Sequence, residues 1–221
     1  MKRVLVMLGV MLFSASAFAL NAQAPASEDC NGKKAAFEQH VNSQKQDSFI
    51  VQYILINLAD PVLKEHRYTE EQFVPLAQCY NTYKVKGTPL VDFVRANADI
   101  FRQKAPESVQ AVPVYDDLQS ELLTFANLVE KQALQAALNE IAARDNDDWV
   151  VQHILSNLAD PMASMSDEQA APKAAVYKQL KVKRQPLVEY SLQQAGRFAQ
   201  YANNVADDLT TFASRVTALA K

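Results

Sequence analysis

The sequence predicts an all-α protein made of two tandem, pseudo-symmetric helical units produced by internal duplication. Three observations carry that expectation. VQYILINLADP at 51–61 returns as VQHILSNLADP at 151–161, with nine of eleven positions identical. The match resumes beyond an indel: TEEQFVPLAQCY at 69–80 parallels SDEQAAPKAAVY at 166–177, and KVKGTPLVDF at 84–93 parallels KVKRQPLVEY at 181–190. The indel shortens VLKEHRY at 62–68 to MASM at 162–165, so register holds on both sides of a loop. Finally, only 4 glycines occur in 221 residues, and alanine, leucine, glutamine and glutamate are abundant, which suits helices.

The chain opens with Lys2 and Arg3, an apolar run from Val4 to Phe13, and SASAFA ending at Ala19. A positive start, a short apolar core and an A-x-A site mark a secretory signal peptide over 1–19. Ala24 is the second-choice cleavage point. The run is too short to span a bilayer, and no later run is longer, so the expectation is a periplasmic or secreted protein without stable membrane insertion. A short segment, 20–30, follows.

Unit one is expected over 31–104, with helices near 31–46, 47–59, 70–86 and 89–104. Residues 105–113 (APESVQAVP) read as a proline-containing linker. Unit two follows over 114–221, with helices near 114–145, 147–159, 167–183 and 186–220. In the second helix of each unit, Ile50/Val150, Val51/Val151, Ile54/Ile154, Leu55/Leu155 and Leu58/Leu158 lie on one face. Asp60-Pro61 and Asp160-Pro161 should stop that helix. Thr69-x-x-Gln72 and Ser166-x-x-Gln169 read as capping boxes. Pro75 and Pro172 lie too deep for a first turn, so a non-α start or a kink is expected there. Lys84/Lys86 and Lys181/Lys183 are placed at the end of the same helix, where positive charge is favourable. Pro89 and Pro186 then open the next one. Tyr80, Tyr83, Phe93, Phe101 and Tyr115 are set against Tyr177, Leu180, Tyr190, Phe198 and Phe212 as core or as the lining of a cleft between units. TEEQ at 69–72 resembles the L-T-x-x-Q stretch of small periplasmic helical chaperones over those four residues, without their arginine-rich context, and no function is carried over.

Without Lys2 and Arg3, 20 basic residues face 25 acidic ones, a net charge near −5. A mildly acidic chain is a poor nucleic-acid binder. Two cysteines, Cys30 and Cys79, suit one disulfide in an exported protein. Closing a loop of that length contributes about 4 kcal/mol. His40, His66 and His153 show no metal spacing, and no P-loop, G-x-S-x-G or G-x-G-x-x-G occurs. RDNDD at 144–148 lacks calcium-loop spacing and reads as a turn with a helix cap. No enzyme activity, cofactor or metal is therefore expected. The expected function is a protein-binding module of chaperone, secretion-accessory or inhibitor type, with another exported protein as partner. The alternative is a carrier or sensor of a small apolar ligand held between helices. Candidate interaction residues are His66, Arg67 and Tyr68 in the loop that unit two has shortened, with His153 and Ser156, which replace Tyr53 and Ile56. Gln52, Asn57, Gln152 and Asn157 form a paired polar set beside the apolar stripe. They serve either the backbone or a site.

Overall fold

A computed structural model describes residues 28–220. The signal-peptide expectation lies outside them. The fold is all-α, with two tiny hairpins. The first series of elements comprises α1 (Glu28–Ser43), α2 (Asp47–Ile54), a π turn (Leu55–Ala59), α3 (Asp60–Leu63), α4 (Glu70–Tyr80), β1 (Lys84–Val85), β2 (Thr88–Pro89), α5 (Leu90–Asn97), α6 (Ile100–Lys104) and a 3-10 turn (Glu107–Val109). Then α7 (Val114–Ala142) leads into α8 (Asp147–Ile154), a second π turn (Leu155–Ala159), α9 (Asp160–Ala163), α10 (Asp167–Tyr177), β3 (Lys181–Val182), β4 (Gln185–Pro186), α11 (Leu187–Phe198) and α12 (Asn203–Leu219).

Four local expectations change. Asp60-Pro61 does not end the helix, which widens and continues to Leu63. A proline ring clashes with the carbonyl four residues back. Here the preceding turn takes one extra residue, with the Asp60 N–H bonded to the Leu55 carbonyl, five residues back. Asp160 bonds Leu155 in the same way. The second change concerns α4 and α10, which stop at Tyr80 and Tyr177, so the lysine pairs sit in hairpins rather than on a helix end. Each hairpin turns on two left-handed residues, Lys86 with Gly87 and Lys183 with Arg184, as a two-residue type I′ connection requires. The third is that the non-α start does not occur: Pro75 and Pro172 lie inside helices that are α-helical from the first residue after the cap. The fourth is that the expected helices 89–104 and 186–220 each break in two, at Ala98-Asp99 and at 199–202. Both capping boxes form as the spacing implies.

The apolar residues fall into two cores. The first joins Cys30, Phe37 and Val41 of α1 with the inner face of α2 and with Phe73, Tyr83, Val85 and Leu90. The second joins Val150, Ile154, Leu158, Tyr177, Leu180, Val182, Leu187 and Leu209. The long helix α7 serves both: Leu122, Phe125, Ala126 and Val129 pack in the first core, Leu138 and Ile141 in the second. The sequence opens unit two at 114, whereas the N-terminal half of α7 closes unit one against α4 and α5, as α12 closes unit two against α10 and α11. The equivalence is visible in residues: L-x-T-F-A-x-x-V-x-x-x-A spans 122–133 and again 209–220. Phe125, not Tyr115, thus stands where Phe212 does. The Tyr80–Phe125 and Tyr177–Phe212 ring centroids lie 6.3 and 6.0 Å apart.

The C-terminal half of α7 takes the place of α1. Glu38 of α1 accepts the Lys84 N–H at 2.9 Å, and Gln135 of α7 accepts the Lys181 N–H at 2.8 Å. Because α7 is continuous with the first core, chain connectivity anchors it. The helix α1 gains the corresponding anchor from the Cys30–Cys79 disulfide to α4, with Cα atoms 5.8 Å apart.

Candidate interaction surface

The helix α2 is apolar on two sides. Ile50, Val51 and Ile54 face the core. Phe49 and, two turns on in the π turn that continues α2, Ile56 point outward and are 54% and 53% exposed. Single exposed apolar residues are ordinary; this pair is aligned two turns apart with grooves beside it. The first groove, about 360 Å³, is lined by Ser48, Phe49, Gln52, Phe101, Lys104 and Tyr115. The second, about 250 Å³, is lined by His40, Gln44, Phe49, Gln52, Tyr53 and Ile56. Phe49 and Gln52 form the ridge between them. The Tyr53 ring is held to α1 by His40, centroids 4.2 Å apart, and by Phe37 at 6.2 Å.

The matching face of α8 differs. Trp149 is 51% exposed, with the Arg144 guanidinium 5.9 Å from its ring centroid. Beyond it come Gln152, His153 and Ser156, so the apolar stripe of unit one has no full counterpart. His153 is half-buried, and burial holds its imidazole below the usual 6.5. Its Nδ1 lies 3.2 Å from the Asn157 amide nitrogen, while its buried Nε2 has no partner. At the start of α8, Asn146 accepts the Asp148 and Trp149 N–H groups, so RDNDD is a capped helix start. The Tyr190 hydroxyl donates to Asp147 at 2.8 Å and, with Lys183, holds that carboxyl below the ordinary range.

The candidate residues do not converge. His66 lies in the loop after α3 with a left-handed backbone, Arg67 pairs with Glu65, and Tyr68 is exposed. None of these three lines either groove, nor do His153 and Ser156. The asparagines serve the backbone, Asn57 donating to the Tyr53 carbonyl at 2.9 Å and Asn157 to the His153 carbonyl at 3.1 Å. Gln52 and Asn57 also border the grooves, while Gln152 is exposed.

Two charged clusters escaped the sequence reading. Lys64 bridges Asp60 and Glu121 at 3.0 and 2.8 Å, tying α3 to α7. Burial, together with the neighbouring Asp60 carboxyl, pushes the Glu121 carboxyl up. At the junction of the two units, Glu130 of α7, 5% exposed, meets Arg95 of α5 at 2.5 Å and Lys173 of α10 at 2.9 Å; Asp92 also pairs with Lys173 at 2.9 Å. A signal for this cluster existed. Arg95 replaces the equivalent Leu192, and Lys173 the equivalent Leu76. Among the described residues, no group of three or more histidine, cysteine or carboxylate side chains is placed to hold a metal ion, and no helix is long and apolar enough to cross a membrane.

Fold and surface together define a class, an all-α protein of two similar helical units with an outward apolar face on one of them. Comparison with protein-family models, with curated proteins and with solved structures gives no match.

Proposed function

We propose that this is an exported, non-enzymatic protein-binding module that docks another exported protein on the outward face of α2. The observation that carries the reading is the exposure of Phe49 and Ile56 two turns apart, Phe49 standing between two grooves and Ile56 lining the second. Aromatic and large aliphatic anchors that fill pockets are the usual energetic centres of protein interfaces. The amino-terminal pattern and the cysteine pair support export. The carrier reading has less support, because both grooves are open, whereas small-ligand pockets bury about 70–90% of their ligand.

A photo-crosslinking amino acid at 56, and separately at 156, tests this in the exporting cell. The reading expects a discrete protein adduct from 56 and none from 156. Equal labelling from both positions, or none from 56, contradicts it.

A further inference from the structure

We infer that the occupant of the α2 face is an acidic, apolar peptide segment of the partner, with large apolar side chains for the grooves and carboxylates for their rim. This rests on the docking reading above and adds the partner's chemistry. Among the described residues no carboxylate lines either groove, in a mature chain that carries an excess of five acidic residues. The basic lining groups are Lys104 in the first groove and His40 in the second. Among the described residues the exposed Lys104 makes no ion pair, and Lys45 is exposed on the turn leading into α2. Of the acids adjacent in sequence to lining residues, Asp47 is held by Lys86 at 2.8 Å and Asp116 by Arg102. The second unit shows that this charge pattern is particular to the first. Ser48, which lines the first groove, stands where α8 carries the exposed Asp148, and Lys104 stands where the equivalent residue is Tyr201. A patch of this sign selects and steers an acidic partner and disfavours a basic one.

Other occupants fit less well. Two copies meeting face to face would bring Lys104 and Lys45 against their own kind. The acidic surface around Trp149 is already engaged in ion pairs, Asp147 and Asp145 with Lys183, and Asp148 with Arg197. An anionic membrane would meet the remainder of an acidic protein.

The test is selection of random peptides on phage against the full mature, disulfide-bonded protein, with Phe49→Ala/Ile56→Ser and Lys104→Glu proteins as parallel baits. Selected peptides should combine aromatic or leucine side chains with Asp or Glu. They should be lost on the Phe49→Ala/Ile56→Ser bait, and weaken about tenfold on Lys104→Glu. Peptides that need Phe49 and Ile56, show no acidic enrichment and ignore Lys104→Glu overturn the inference while leaving the docking face standing. Peptides indifferent to Phe49→Ala/Ile56→Ser, or no selected peptides at all, overturn both. Phosphatidylglycerol vesicles that capture the wild-type but not the Phe49→Ala/Ile56→Ser protein would assign the face to a membrane. Concentration-dependent dimers abolished by the same pair would assign it to a second copy. Either result overturns the acidic-peptide assignment.

Discussion

Arg95 and Lys173 hold the two oxygens of one buried carboxylate: Arg95 Nη2 lies 2.5 Å from Glu130 Oε2, and Lys173 Nζ 2.9 Å from Glu130 Oε1. One cation comes from α5 of the first unit and the other from α10 of the second, so the pair fixes both units to the middle of α7. Removing one member of a buried ion cluster leaves its partners desolvated and unpaired, which costs about 3–5 kcal/mol. Glu130→Ala should lose that much in chemical denaturation. Replacing Arg95, Glu130 and Lys173 together by methionine should recover most of it, because a packed apolar cluster escapes the desolvation cost. An alanine variant as stable as the wild type would mean that the cluster does not hold the two units to α7.

The disulfide ties α1 to α4. Its partners are 49 residues apart, and among the described residues no helix precedes α1. Cys30→Ser/Cys79→Ser should cost about 4 kcal/mol on the chain-entropy model. Hydrogen exchange should rise first in α1, because α7 retains its anchor through the first core. Uniform loss of protection across both units would contradict this placement.

The two hairpins differ at one left-handed position, where Gly87 (φ 84°) stands opposite Arg184 (φ 70°). A left-handed backbone costs an L-residue with a Cβ about 1–2 kcal/mol, and glycine escapes that cost. Gly87→Ala should therefore destabilise by about 1 kcal/mol, and Arg184→Gly should stabilise by up to about 1 kcal/mol, less the entropy of the added glycine. Paired denaturation curves of the two variants check both signs.

His153 sets a pH dependence. Burial lowers its pKa in the folded state from 6.5, so the unfolded chain binds the proton more tightly. Stability is therefore complete above 6.5 and declines as pH falls through that value toward the folded pKa. Denaturation at about pH 7.5 and about pH 5.5 measures the decline. His153→Tyr, the residue of the other unit, should flatten the difference. The Asp147 carboxyl shifts stability in the same direction but only near and below 3.8, outside that interval. An unchanged decline in His153→Tyr would locate the titrating group elsewhere.

What the sequence made legible follows from length scale. The ADP helices and the capping boxes were readable because each occupies a full helical turn or more and occurs twice. The hairpins were not, since two-residue strands carry no alternation, and only the left-handed pairs Lys86-Gly87 and Lys183-Arg184 mark them. The π turns were hidden because Pro61 and Pro161 are ordinary stop signals, whose clash is relieved by a widening that composition does not encode. The closing helices repeat too, but their offset drops from 97 to 87, because unit one carries ten more residues ahead of Leu122. Tyr115 was therefore paired with Phe212 in place of Phe125. The outward face of α2 is hidden for a related reason: Phe49 lies off the shared inner stripe, and the repeat marks Ile56 only as the residue that Ser156 replaces.

The most direct test of the docking claim compares Ile56→Ser with a His66→Ala/Arg67→Ala/Tyr68→Ala variant, by measuring affinity for the protein crosslinked from position 56. Ile56 is exposed, so its serine variant should keep its stability within about 0.5 kcal/mol. The account predicts that Ile56→Ser weakens binding by about 2 kcal/mol, roughly thirtyfold, while the loop variant binds as wild type. Full affinity in Ile56→Ser with loss in the loop variant would contradict the account and move the docking surface to residues 66–68.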